Sequence, residues 1–173
     1  MIAPVGSGQW LARHGVDRVC ELGPNSSVSL ADLTIRAVPA VHDSRRYPLG
    51  VRGTPVGYVL GHSCGVYFAG DTDLFDEMAD LHGQVTVALL PVSGWGPRVP
   101  EGHLDPLRAA QAAGMIRPAV AIPIHWGTYG LAWAAPPPDP SEPAQRFVEL
   151  ARRYAPGVEV RLLRPGGSTE IEG

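Results

Sequence analysis

Paired histidines, basic runs and long apolar stretches are all missing from this chain of 173 residues. Its six histidines, at positions 14, 42, 62, 82, 103 and 125, all stand more than ten residues apart, so no short segment supplies two imidazoles at once. A net charge of −3 and the lack of any basic block exclude nucleic acid and anionic membrane as favoured partners. The first residues, Met-Ile-Ala-Pro-Val-Gly, carry no basic region and lead into no long apolar run. No signal peptide and no membrane insertion are therefore expected, with the cytoplasm as the default location. Cysteine is nearly absent: Cys20 and Cys64 both fall in apolar, strand-like stretches and read as buried free thiols rather than a disulfide.

What is present is a globular composition, 45% hydrophobic and 18% charged, long enough for one domain with a sizeable core. Glycine and proline are abundant (21 and 18 residues), which fits a loop-rich α/β domain. No internal repeat is seen. Ile2 to Val5 reads as a buried strand starting immediately after Met1; core strands usually follow another element, so the chain is expected to start inside a domain.

Further along, residues 8–14 predict a short helix closed by Gly15, and short β-rich segments cover 19–22, 28–30 and 33–38. Segments 56–60 and 66–69 predict a hairpin. Asp73 suits the cap of a helix over 74–81, and the apolar run 85–90 suits a strand covered on both faces. Asp105-Pro106 predicts a helix start, a carboxylate cap followed by proline at the first helical position, with Gly114 as its stop. A strand is expected at 119–124, a helix at 141–154 and a strand at 158–163. Segment 41–54 is a polar loop, and the proline-rich 131–143 reads as a plain linker or a lid. Strands alternating with helices indicate a layered α/β domain.

Three polar side chains follow apolar strands directly: His42 after Val-Pro-Ala-Val, Asp71 after Val-Tyr-Phe-Ala-Gly, and His125 after Ala-Ile-Pro-Ile. Strand ends hold side chains rigidly while the loops beyond leave room for substrate. Imidazole and carboxylate are ligands for Zn²⁺ and similar divalent ions. Gly70 removes bulk beside the carboxylate. Singly, each residue has an ordinary explanation as a loop histidine or a turn aspartate; together they point to a metal site.

These segments, with Leu-Leu-Pro-Val at 89–92, Gly102-His103-Leu104-Asp105-Pro106 and Ile-Pro-Ile-His-Trp-Gly-Thr, resemble the metallo-β-lactamase superfamily. The branch they look most similar to contains N-acylphosphatidylethanolamine-hydrolysing phospholipase D and ascorbate-6-phosphate lactonase-like proteins. The resemblance covers nearly the whole chain, in order. It implies an αββα sandwich and a hydrolase using one or two divalent ions, Zn or Mn. Those ions would lower the pKa of a water and polarise a phosphoryl or carbonyl oxygen. His42 and Asp71 would serve one ion, and Asp71 and His125 the other, with Asp71 bridging. His103 would hydrogen-bond the oxyanion or leaving group, its ordinary alternative being a bond at the helix start. Trp126 and Thr128 would orient the His125 loop. Arg45 and Arg46 either clamp an anionic group of a small phosphorylated, ester or lactone substrate or are solvated loop charges. His14, His62 and His82 receive no role.

The family's His-x-His-x-Asp-His motif is absent. Residues 1–173 are therefore expected to form a single domain of this type lacking its N-terminal strands and first metal-binding motif, with weakly held metal. An open sheet edge and an uncovered apolar face would follow, favouring oligomers or pairing with a missing N-terminal segment. The alternative is a non-catalytic remnant or interaction module that has lost metal binding.

Overall fold

The computed structural model describes residues 1–43, 53–61, 65–94, 99–127 and 139–171. A seven-stranded sheet forms its frame: β3 (Ser27–Leu30), β4 (Leu33–Pro39), β5 (Val56–Leu60), β6 (Gly65–Phe68), β7 (Val85–Pro91), β8 (Val120–Ile124) and β9 (Glu159–Val160), side by side in chain order. From β3 to β6 neighbours run antiparallel; from β6 to β9 they run parallel. A separate parallel pair joins β1 (Ile2–Pro4) to β2 (Cys20–Leu22), linked through α1 (Gly8–Arg13).

The parallel half needs helical crossovers, and the sequence provides them. A 3-10 helix (Asp76–Leu81) lies between β6 and β7, α2 (Pro106–Ile116) between β7 and β8, and α3 (Glu142–Tyr154) between β8 and β9. Side chains alternate across the sheet. Val59, Tyr67, Ala88, Leu90 and Ala121 enter a core with Met78, Leu104, Ile116 and Phe147 beneath the helices. On the opposite face Leu22, Ile35 and Ala37 cluster with Tyr58, and Val87, Val120 and Ile122 with Val66 and Leu89.

The expected hairpin, the β7 strand and the Asp105-Pro106 helix start are all present, and the Asp105 carboxylate accepts from Arg108 N at 2.8 Å. Four expectations are corrected. Helix α2 continues through Gly114 to Ile116 and stops at Arg117, which adopts the left-handed conformation (φ 51°, ψ 52°). Gly114 serves packing instead: a Cβ there would run into the Tyr154 carbonyl of α3. Asp73 caps no helix. The turn begins after an extended Phe75 without a side-chain cap, because the Asp73 carboxylate is engaged elsewhere. Cys20 is exposed on the edge strand β2 rather than buried. The last strand is only two residues, Glu159–Val160. The turn at His62, Cys64 and most of 131–143 lie outside the described residues.

Candidate metal centre

Three chain segments leave the frame at the same end of the sheet. Residues 41–43 follow β4, 69–75 follow β6, and 125–127 follow β8; a fourth, 99–105, leads into α2. They bring His42, Asp71 and His103 together so that one ligand atom from each lies within 4.8 Å of the others. His125 joins them: its Nε2 is 3.4 Å from Asp71 Oδ1. The His42 and His103 rings meet edge to face at 4.6 Å, and the His103 and His125 ring centres are 6.3 Å apart. All four residues predicted at strand ends or the helix start therefore converge. Arg45, Arg46 and Thr128 lie outside the described residues.

Tautomers follow from the hydrogen bonds. His42 Nδ1 lies 3.0 Å from the Gly102 carbonyl, and His125 Nδ1 lies 2.7 Å from the Ser93 carbonyl. A carbonyl only accepts, so each Nδ1 carries a proton, and in the neutral imidazole Nε2 is then the atom with the lone pair. That is the form in which histidine ligates a metal. Ser93 also donates its hydroxyl to the His125 carbonyl, clamping this residue from both sides. His125 holds φ at 61°, a left-handed value uncommon for a residue with a Cβ, and the Ser93 pair supports it.

Gly70 precedes Asp71 at φ 64°. A Cβ there would meet the Val56 carbonyl at 3.6 Å, an ordinary contact. Its value is thus its backbone conformation rather than the removal of bulk beside the carboxylate, which corrects the sequence reading. Asp71 is 45% exposed and His125 28%, so the cluster opens to solvent. A site open to solvent, with two oriented Nε2 atoms, a third imidazole and a carboxylate, suits a divalent ion of the zinc type.

Sequence reasoning missed the residues beneath the cluster. Thr72 is fully buried and its Oγ1 accepts from Val41 N at 2.9 Å. Asp73 accepts from Arg108 Nη1 at 2.7 and 2.8 Å, from Leu74 N at 2.8 Å and from Gly102 N at 3.3 Å. Burial by itself pushes the Asp73 carboxyl up; the Arg108 hydrogen bond and charge, with the two amides, outweigh it and hold the group below its ordinary value. Arg108 is raised in turn, chiefly by the same hydrogen bond. The available signal was Asp73 two positions beyond Asp71 and a basic residue three beyond the Asp105 cap. Trp126 donates Nε1 to the Pro123 carbonyl at 3.0 Å and packs on the core. His14 and His82 lie by the Trp10 and Ile116 carbonyls.

A family model described as a Beta-lactamase superfamily domain matches residues 1–126. The chain belongs to that superfamily. It is 39% identical over 164 residues to a UPF0173 metal-dependent hydrolase of Methanopyrus kandleri, a match covering 91% of this chain and 65% of that protein. Superposition on Igni18, described as a novel metallo hydrolase from Ignicoccus hospitalis, gives a TM-score of 0.70 at 26% identity, covering 99% of this chain and 69% of that one. The metallo-beta-lactamase fold protein YhfI of Bacillus subtilis matches at a TM-score of 0.66 and 10% identity, over 94% of this chain and 61% of that one, a likeness of fold alone. This superfamily member thus has the metallo-β-lactamase fold, and it spans less than two-thirds of the Methanopyrus relative's length.

Proposed function

We propose that the protein to which this chain belongs is a metal-dependent hydrolase, and that His42, Asp71, His103 and His125 form part of its active centre. The convergence of these four side chains at one end of the sheet carries this reading. His42 and Asp71 would hold one divalent ion, Zn or Mn, and Asp71 and His125 a second. When bound, such ions supply Lewis acidity and acidify a coordinated water. The chain's own part is orientation. The Gly102 and Ser93 carbonyls hold the imidazoles of His42 and His125 through Nδ1, and Nε2 of His125 lies 3.4 Å from Asp71 Oδ1. His103 hydrogen-bonds the oxyanion or leaving group from beside them. Arg45 and Arg46 meet an anionic part of a small phosphorylated, ester or lactone substrate. This substrate class, and kinship with the phospholipase D and lactonase-like branch, rest on the sequence resemblance. Among the described residues no helix is long and apolar enough to cross a membrane.

Residues 1–173 form, on this reading, one domain without its N-terminal strands and first ligand motif. Support comes from the length of the relatives, of which the Methanopyrus protein is covered to 65%. Two protein ligands per ion, one of them shared, are fewer than the usual three, so this chain alone holds metal weakly. An in-frame His-x-His-x-Asp-His upstream of the Met1 codon is expected; a stop codon there instead favours a non-catalytic remnant.

The decisive test is turnover of bis(p-nitrophenyl) phosphate and of a small lactone by the form carrying that upstream segment. Asp71→Ala is expected to abolish activity on whichever probe is hydrolysed. Undiminished turnover by this variant rules out the assigned centre.

A further inference from the structure

A second layer of side chains ties together the segments that present the cluster. Asp73 is its hub. Its backbone N–H donates to the Val41 carbonyl at 2.7 Å, one residue before His42. Its carboxylate accepts from Gly102 N, one residue before His103, and Asp73 itself lies two residues after Asp71. Three of the four convergent side chains are therefore each within two residues of a group bonded to, or belonging to, Asp73.

Arg108 completes the hub from α2. Its Nη1 bridges both Asp73 oxygens and reaches the His103 carbonyl at 3.4 Å. The Asp105 carboxylate lies 3.6 Å from Arg108 Nε and also caps the helix through Arg108 N. The guanidinium is thereby held at the first turn of a helix whose inner face is buried. Neighbouring bonds extend the tie: Leu104 N donates to the Thr72 carbonyl at 2.7 Å, and the Gly102 carbonyl accepts from His42 Nδ1. Gly102 has φ 81°, and a Cβ there would sit 3.4 Å from His42 Nδ1 and Cα, so the two segments are in close contact.

His125 is held differently, by Ser93 after β7; among the described residues Asp73 and Arg108 make no bond to it, and its contact with the group they tie together is Nε2 at 3.4 Å from Asp71 Oδ1. From this division we infer that Asp73 and Arg108 are positioning residues which set the relative placement of His42, Asp71 and His103, while His125 is positioned independently. The inference rests on the metal-centre reading only for its metal-binding readout; the placement of the imidazoles is a property of the apoprotein. A carboxylate between one guanidinium and two amides is an anchor that neither a neutral amide nor a lone ammonium reproduces.

The test uses the 173-residue chain and the variants Arg108→Ala, Arg108→Lys and Asp73→Asn, with Arg146→Ala as control, since Arg146 is exposed and pairs only with Glu149 among the described residues. Two quantities are read at matched, verified folding: Zn²⁺ affinity, by competition with a chromophoric chelator, and the imidazole ¹⁵N and ¹H NMR signals of the apoprotein. Arg108→Ala and Asp73→Asn are expected to weaken Zn²⁺ binding by about 10- to 100-fold, the usual effect of losing a group that orients ligands. Their His42 and His103 signals shift more than that of His125, which senses the change only through Asp71. Arg108→Lys, which keeps the charge but loses the planar fork, falls between. If the alanine variant does not fold, Arg108→Lys and Asp73→Asn carry the comparison. Unchanged affinity with unchanged His42 and His103 signals overturns the inference, and so does an equal shift of all three imidazoles. Where the wild-type chain binds Zn²⁺ too weakly for the competition to read, as its incomplete ligand set allows, the NMR pattern alone decides the positioning role.

Discussion

Tyr67 puts a phenol oxygen into the core beneath the helices, and among the described residues nothing bonds it. Burial pushes its pKa well above the ordinary tyrosine value. The sign of the consequence follows from linkage. Near pH 10 the unfolded chain begins to lose this proton while the folded chain keeps it. Stability from this group is thus full below the unfolded value and falls, by about 1.4 kcal/mol per pH unit, as pH rises towards the folded one. The chain has no lysine, its fourteen basic residues all being arginine, so the side chains that titrate near that window are its five tyrosines and two cysteines. Tyr67→Phe is expected to be neutral or slightly stabilising at pH 7. It should also flatten the loss of stability between pH 9.5 and about 11 in urea titrations, leaving a smaller slope from Tyr58, which burial also raises. An unaltered alkaline slope would show that Tyr67 ionises as freely folded as unfolded. At Gly70 the left-handed backbone makes Gly70→Ala cost about 1 to 2 kcal/mol, measurable as a lower urea midpoint. A midpoint equal to wild type would mean that the turn relaxes to another conformation.

At the scale of elements, α2 connects stability to the candidate centre. Its N-terminus is fixed by Asp105, whose replacement by alanine should cost about 1 kcal/mol, the ordinary value of a lost cap. Its C-terminal half is fixed by contact with α3, where Gly114 lies under the Tyr154 carbonyl. Gly114→Ala is expected to destabilise by about 1 to 3 kcal/mol through overpacking, although alanine is the better helix former. A stabilised Gly114→Ala variant in thermal melts would show that helix propensity outweighs the crossing. The same glycine explains why the helix end was misplaced from sequence: glycine stops helices by adopting left-handed φ, but it also lets two backbones approach, and residue order does not tell these uses apart.

At the scale of the molecule, the sheet carries helices on one face, while the other bears apolar side chains of which Phe68 is 43% exposed. Val87, Val120 and Ile122 on that face are buried, so Phe68 is the exposed side chain through which association would run. The 173-residue chain is expected to elute above its monomer mass in light-scattering chromatography, and the longer form to be smaller relative to its own mass. A monodisperse monomer at high concentration would remove this support for a missing layer. How much was legible beforehand follows from the range of each interaction. Strand β7, the hairpin and the Asp105-Pro106 start rest on periodicity and caps within a few residues, so residue order determined them. It also placed His42, Asp71 and His125 at strand ends, because each follows an apolar run directly. The Asp73–Arg108 pair, the exposure of Cys20 and the reason for Gly70 were decided only in three dimensions. Asp73 and Arg108 are thirty-five positions apart, and which carboxylate a guanidinium meets depends on how strands and helix stack, a long-range outcome that no local pattern encodes.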